Sequence, residues 1–131
     1  MNFRLILFTL TTSGFLFSCT YQKAIEPKTD CPLKDSISFS ADVLPVFQEN
    51  CTSSECHSSV NPGGNLILEP GQAYKQLMEK KSGYIDTLNP KASVLYIQMN
   101  SRSQPMPPTG KLDNCTIQLI LKWIEQKAPN N

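Results

Sequence analysis

From residue 39 onward, apolar positions recur at helical spacing in four stretches, and proline and glycine crowd the segments between them. Val43, Val46 and Phe47 share one face of a helix predicted over 43–50, with Asp42 as its N-cap and Pro45 in a first turn that needs no amide hydrogen. Asn61-Pro62-Gly63-Gly64-Asn65 is a dense turn signal, and the short apolar run Leu66-Ile67-Leu68 after it reads as extended chain. Ala73, Tyr74, Leu77 and Met78 mark a second helix that fades near Lys80 and stops by Gly83. Asn89-Pro90 reads as a cap followed by proline at the first helical position, opening a third helix through Val94, Leu95 and Met99. Residues 101–110 break the pattern, and Asp113 then caps a last helix with the stripe Ile117, Ile120, Leu121, Ile124 and Ala128, widened by Leu119 and Trp123. The pattern predicts a small, mainly α domain with long Pro/Gly-rich loops and almost no strand.

The first thirty-odd residues follow different rules. Arg4 precedes an uncharged apolar run over 5–17, the length of a signal-peptide core and short for a bilayer span. The run ends in Leu16-Phe17-Ser18-Cys19, which resembles the lipobox of bacterial lipoproteins, so residues 1–18 read as a lipoprotein signal peptide and Cys19 as the lipidated first residue. Residues 19–38, polar and interrupted by Pro27 and Pro32, read as a flexible tether reaching at most about 3.4 Å per residue. These features predict a lipid-anchored protein of the bacterial cell envelope. The chain has 12 basic and 11 acidic side chains, and losing Arg4 with the leader balances them. No basic patch points to nucleic acid.

The chemistry is concentrated in Cys51-Thr52-Ser53-Ser54-Glu55-Cys56-His57, which holds two of the five cysteines and the one histidine of the chain. Two thiols can each form a thioether to a haem vinyl group, and a histidine directly after the second is held where it can ligate iron. Four residues separate the cysteines, where the usual attachment run has two. A Cys51–Cys56 disulfide is the plain alternative in an oxidising compartment. A thiol oxidoreductase wants a Cys-x-x-Cys pair at a helix start, and this pair follows a helix. Zinc would need a further donor and a geometry to which adjacent Cys56 and His57 are poorly suited. With Cys19 assigned to lipid and Cys51 and Cys56 to haem, Cys31 and Cys115 remain and are predicted to pair. That bridge would close a loop of roughly eighty residues, a stabilisation of about 4 kcal/mol in the chain-entropy account.

The order of these pieces resembles a class I-type cytochrome c domain over residues 39–131. The resemblance is carried by a helix ending at Cys51, the Cys51…Cys56-His57 run, Met106-Pro107-Pro108, and a terminal helix with Trp123-Ile124. Gly63-Gly64-Asn65-Leu66 and Asn89-Pro90-Lys91-Ala92-Ser93-Val94-Leu95-Tyr96 resemble connecting motifs of the same family. The resemblance implies one covalent haem c, His57 and Met106 as axial ligands, and first and last helices that cross, bringing Phe47 against Trp123 or Leu119. Ser58 stands where glycine commonly follows the histidine, and Lys127 where glycine often precedes the final alanine.

A physical reason for Met106 stands beside the resemblance: Pro105, Pro107 and Pro108 stiffen its segment, so a soft sulfur is held with little entropy lost on binding. Met78 and Met99, on helical apolar faces, are expected to pack in the core. Phe47, Tyr96 and Trp123 are the expected apolar cover of the haem, and Tyr84, Arg102 and Lys111 lie in loops from which propionates could be met. With both axial positions filled, one-electron transfer to redox partner proteins of the envelope follows, with no small-molecule substrate and no enzymatic activity. A peroxidase would want a distal acid–base group, and there is no second histidine. The competing reading is a disulfide-stabilised lipoprotein that serves as a cofactor-free binding or anchoring module.

Overall fold

The computed structural model describes residues 31–131; the leader, Cys19 and the first part of the tether lie outside the described residues. The described chain is mainly helical and has no strand. Four α-helices, α1 (Leu44–Asn50), α2 (Ala73–Leu77), α3 (Val94–Asn100) and α4 (Asn114–Glu125), are separated by loops and two short 3-10 turns, Gly63–Asn65 and Pro90–Ala92.

Helix α1 starts earlier, and differently, than the apolar pattern predicts. A wide π-type turn, Phe39–Val43, leads into it, and its N-cap is Ser38 rather than Asp42. Ser38 Oγ accepts from the amide of Ala41, and the Asp42 carboxylate accepts from the amide of Ser38, so the two close a reciprocal cap. Pro45 supplies the reason for the widening: it has no amide to offer a carbonyl four residues back, and the turn before it takes five-residue spacing, with the Leu44 amide on Phe39 O. Asp42 also pairs with the Lys34 ammonium, which holds its carboxyl below the usual carboxylate range.

Residues 31–38 are not free tether. Cys31 is disulfide-bonded to Cys115 with a Cα–Cα separation of 5.3 Å, the pairing the cysteine inventory predicts. Beyond the bridge the strap lies along α4: Gln126 donates to Asp35 O and accepts from the Ile37 amide, Lys122 donates to Lys34 O, and the Ile37 side chain is buried. In sequence the strap reads as polar chain, because these bonds join residues about ninety positions apart, which no local pattern records.

Helix α4 is the most regular element. Asp113 accepts from the amides of Cys115 and Thr116, and Ile117, Ile120, Leu121, Trp123 and Ile124 are buried along one side. At its other end the Ala128 amide reaches Trp123 O and the Lys127 amide reaches Ile124 O, a closing turn that puts Lys127 at φ 71°. Glycine is favoured at such a position because it bears no Cβ. Lys127 is anchored there by its ammonium, which donates to Thr87 O at 2.9 Å.

The predicted third helix is two pieces. Asn89 makes no side-chain cap; Ser93, fully buried, adopts an extended conformation between the Pro90–Ala92 turn and α3 and accepts the Asp86 amide on its hydroxyl. The first amides of α3 are then met by main chain, Val94 on Gly83 O and Leu95 on Tyr84 O. This pairing fixes the Gly83-Tyr84 segment against the start of α3.

The core centres on Phe39, whose ring lies 5.3 Å from that of Trp123, 5.1 Å from Tyr74 and 6.5 Å from Phe47. The expected Phe47–Trp123 contact is therefore mediated: Phe39, from the wide leading turn, stands between α1 and α4. Tyr74 and Trp123 satisfy their polar atoms on Ala128 O and Pro129 O, so the cluster buries no orphan donor.

Candidate functional site

Helix α1 ends at Cys51, whose amide still reaches Phe47 O, and the chain then makes one compact loop. Thr52 Oγ1 donates back to Gln48 O, the Cys56 amide to Ser53 O, and the His57 amide to Cys51 O at 2.9 Å. The four intervening residues are thus taken up as an extra turn, and Cys51 and His57 are tied across it. Both thiols are free, neither bonded to the other, and Ser53 Oγ donates to Cys56 Sγ at 2.9 Å. Burial pushes the Cys51 thiol up to about 11, with the neighbouring Cys56 adding to the rise. A thiol so shifted stays protonated near neutral pH, the opposite of the activated thiolate that disulfide exchange needs.

His57 is oriented from behind. Its Nδ1 lies 3.1 Å from Leu66 O, so with the proton on Nδ1 the ring donates to that carbonyl and its Nε2 lone pair is left for a ligand. The Gly63-Gly64-Asn65 turn delivers this carbonyl. Gly63 donates to Cys56 O at 2.6 Å, and a Cβ there would sit 3.1 Å from that oxygen and 3.8 Å from His57 Cε1. Gly64 and Asn65 take positive φ of 61° and 59°, closing the turn. The Leu68 amide then returns to His57 O. Ser58 needs no glycine: its backbone is not left-handed, its side chain is buried, and its hydroxyl reaches Ser54 O.

In front of His57 opens a cavity of about 370 Å³, within the size range of small-molecule and cofactor sites. Cys51, Cys56 and His57 line it, and so does Met106, held in place by its amide on Gln98 O at the end of α3 and followed by Pro107 and Pro108. Phe47, Leu66, Leu68, Leu95 and Leu112 give it apolar walls. All four residues expected to attach or ligate haem therefore face one cavity. The donor set fits the group: two reduced thiols, an imidazole with one nitrogen committed to a carbonyl, and a thioether on the same cavity whose residue is 39% exposed. Among the described residues no three His, Cys, Asp or Glu side chains are grouped to hold a metal ion.

The apolar cover is placed differently from the expectation. Phe47 lines the cavity, whereas Trp123 and Tyr96 do not. Trp123 is fully buried in the Phe39 cluster, because the α4 stripe faces that cluster and not the cavity. Tyr96 is half-buried and packs against the hydrophobic core. Met99 packs in the core as expected, and it also lines the cavity, a second role that helical spacing alone does not reveal. Of the three loop residues considered for propionates, Tyr84 lines the cavity, Lys111 lines an adjoining polar hollow with Glu49 and Asp113, and Arg102 lines neither.

The chain matches no protein-family model, no curated protein and no solved structure.

Proposed function

We propose that this protein is a membrane-anchored monohaem c-type cytochrome of the bacterial cell envelope, an electron carrier and not an enzyme. One observation carries the reading: Cys51, Cys56, His57 and Met106, picked out by chemistry from segments fifty residues apart, line a single apolar cavity. The class I-type cytochrome c resemblance, with its first and last helices meeting at the core and its methionine loop on the cavity that His57 lines, is part of the same proposal.

In this reading Cys51 and Cys56 would hold haem c covalently, and His57 and Met106 would ligate its iron. The bound group supplies a one-electron couple between ferrous and ferric iron. His57, fixed by Leu66 O, would present its other ring nitrogen to the iron, and the Met106 sulfur would favour the ferrous state. Phe47, Leu66, Leu68 and Leu112 exclude water, which disfavours the extra charge of the ferric form and raises the potential. With both His57 and Met106 committed to the iron, the site would have no place for a small-molecule substrate. Cys19 would fasten the chain to the membrane through lipid, leaving the domain to meet redox partner proteins.

Production alongside a haem-maturation apparatus tests the proposal. The product should be red, with a sharp ferrous alpha band, and should keep its haem through denaturing electrophoresis. Met106→Ala should remove the weak long-wavelength charge-transfer band of methionine-ligated ferric haem; a spectrum unchanged by that substitution excludes Met106 as ligand.

A further inference from the structure

The strap beside α4 has a direction. Cys31 is bridged to Cys115 in the first turn of the helix, Lys34 O accepts from Lys122 near its other end, and Gln126, just past that end, holds Asp35 O and the Ile37 amide. The chain therefore joins the domain at the start of α4 and runs along the helix toward its finish. These two ends border different halves of the molecule. Asp113 and Thr116, on either side of Cys115, line the polar hollow, which shares Asn50, Pro107 and Leu112 with the His57 cavity. Trp123, at the far end, sits in the Phe39 cluster. Between the cavity and the bridge stands one lip of chain, Met106 to Lys111, in which Met106, Pro108, Thr109 and Gly110 are exposed. The stretch from Ser103 to Gly110 carries no charge, so a charged membrane surface of either sign does not repel it.

From this order we infer that the Cys31–Cys115 bridge orients the domain on its membrane, turning the Met106–Lys111 lip toward the bilayer, and that electrons pass through this lip to or from a redox protein confined to the same membrane. This rests on the proposed haem and on lipid at Cys19, and gives them a face and a class of partner. Lengths decide whether the point of attachment matters. Cys31 lies twelve residues after Cys19, and a chain of that length reaches at most about 40 Å. A domain of about a hundred residues has a radius of gyration of about 13 Å and is roughly 35 Å across. A leash hardly longer than the body it holds cannot offer every face to the surface equally. Helix α4, at 12 residues, is about 18 Å long, so entry at its cavity end rather than its far end brings the lip nearer the bilayer by up to that distance. Without the bridge, the first hold on the strap is at Lys122, about 10 Å further along the helix, and the leash gains about another 10 Å of reach. Both changes carry the lip away from the membrane.

The test places the lipidated, haem-loaded, full-length protein on phosphatidylcholine vesicles and reduces it with two donors, a long-chain quinol dissolved in the bilayer, standing in for the membrane partner, and ascorbate in solution. Cys31→Ser with Cys115→Ser should slow reduction by the quinol about two- to fivefold and leave reduction by ascorbate unchanged. Vesicles carrying a headgroup fluorophore report the distance itself: the haem quenches them by energy transfer, and quenching should weaken in the same variant. If that variant yields no folded protein, an insertion of about twenty Gly/Ser residues between Asp30 and Cys31 decides, with quinol reduction expected to fall about fourfold and ascorbate reduction to hold. Quinol rates equal to wild type, or a loss shared in equal proportion by both donors, overturn the inference. A colourless product sinks the haem reading and a red product that does not bind vesicles sinks the lipid anchor, each taking this inference with it; a red, vesicle-bound protein with unchanged rates sinks this assignment alone.

Discussion

The two halves of the domain use apolar side chains to opposite ends. Around Phe39, the strap, α2 and α4 close on one another, and Ile37, Tyr74, Trp123 and Ala128 fill the space between them with every polar tip satisfied. Around His57, Leu66, Leu68, Leu95 and Leu112 surround about 370 Å³ that no side chain fills. Apolar walls without filling lose the dispersion contacts that close packing supplies. The comparison teaches that one half is closed by the polypeptide itself, while the other forms the apolar cavity in which the proposed haem would sit. A domain of about a hundred described residues has a thin core to begin with, so under the proposed function haem would contribute to the fold as well as to function.

The largest effect that separates the halves is at Trp123. Trp123→Ala should cost about 3–5 kcal/mol in denaturant unfolding, because it empties the filled half. The visible spectrum of the haem-loaded folded fraction should stay unchanged, since Trp123 does not line the cavity; a shifted alpha band would return the residue to the haem's cover. Next comes the bridge. Replacing Cys31 and Cys115 by serine opens an 84-residue loop and should lower stability by about 4 kcal/mol, with the strap losing protection from hydrogen exchange first.

The remaining effects are smaller and belong to the helix ends. Asp113→Ala removes the cap of α4 and should cost about 1 kcal/mol. Asp113 and Asp42 both have folded-state pKa values below the ordinary carboxylate range, Asp113 chiefly through Thr116 and Asp42 through Lys34. Their contribution is therefore present above the unfolded pKa near 4 and lost as pH falls through the lower folded values. Thermal unfolding below pH 4 should show a shallower acid decline for Asp113→Ala than for wild type. Lys127→Gly relieves a left-handed backbone and gives up the ammonium bond to Thr87 O, so a change of only a few tenths of a kcal/mol is expected. A loss above about 1 kcal/mol would show that the Thr87 contact governs the turn.

How much was legible depended on distance along the chain. Helix α4 could be read in full because its cap at Asp113 and its apolar stripe are contiguous. The start of α1 could not, since the same Pro45 that signals a first turn also widens the turn before it and moves the cap to Ser38. The strap at 31–38 is polar by composition and becomes structure through distant partners, the Cys115 bridge, Gln126 and Lys122 among them. At the site, Cys51, Cys56 and His57 announce themselves by adjacency, and Met106 by its prolines. The walls were harder: an amphipathic face says that Trp123 and Leu95 are inward but not which of two clefts they meet. Leu66 O, which orients His57, is a main-chain group and leaves no mark in composition.

The most direct measurement is the mass of the peptide spanning Cys51 to His57, taken from protein exported by a host that matures c-type cytochromes. The account predicts an increase equal to one haem, with no alkylatable thiol left at either cysteine. An unmodified peptide, or one carrying only a Cys51–Cys56 disulfide, would contradict it.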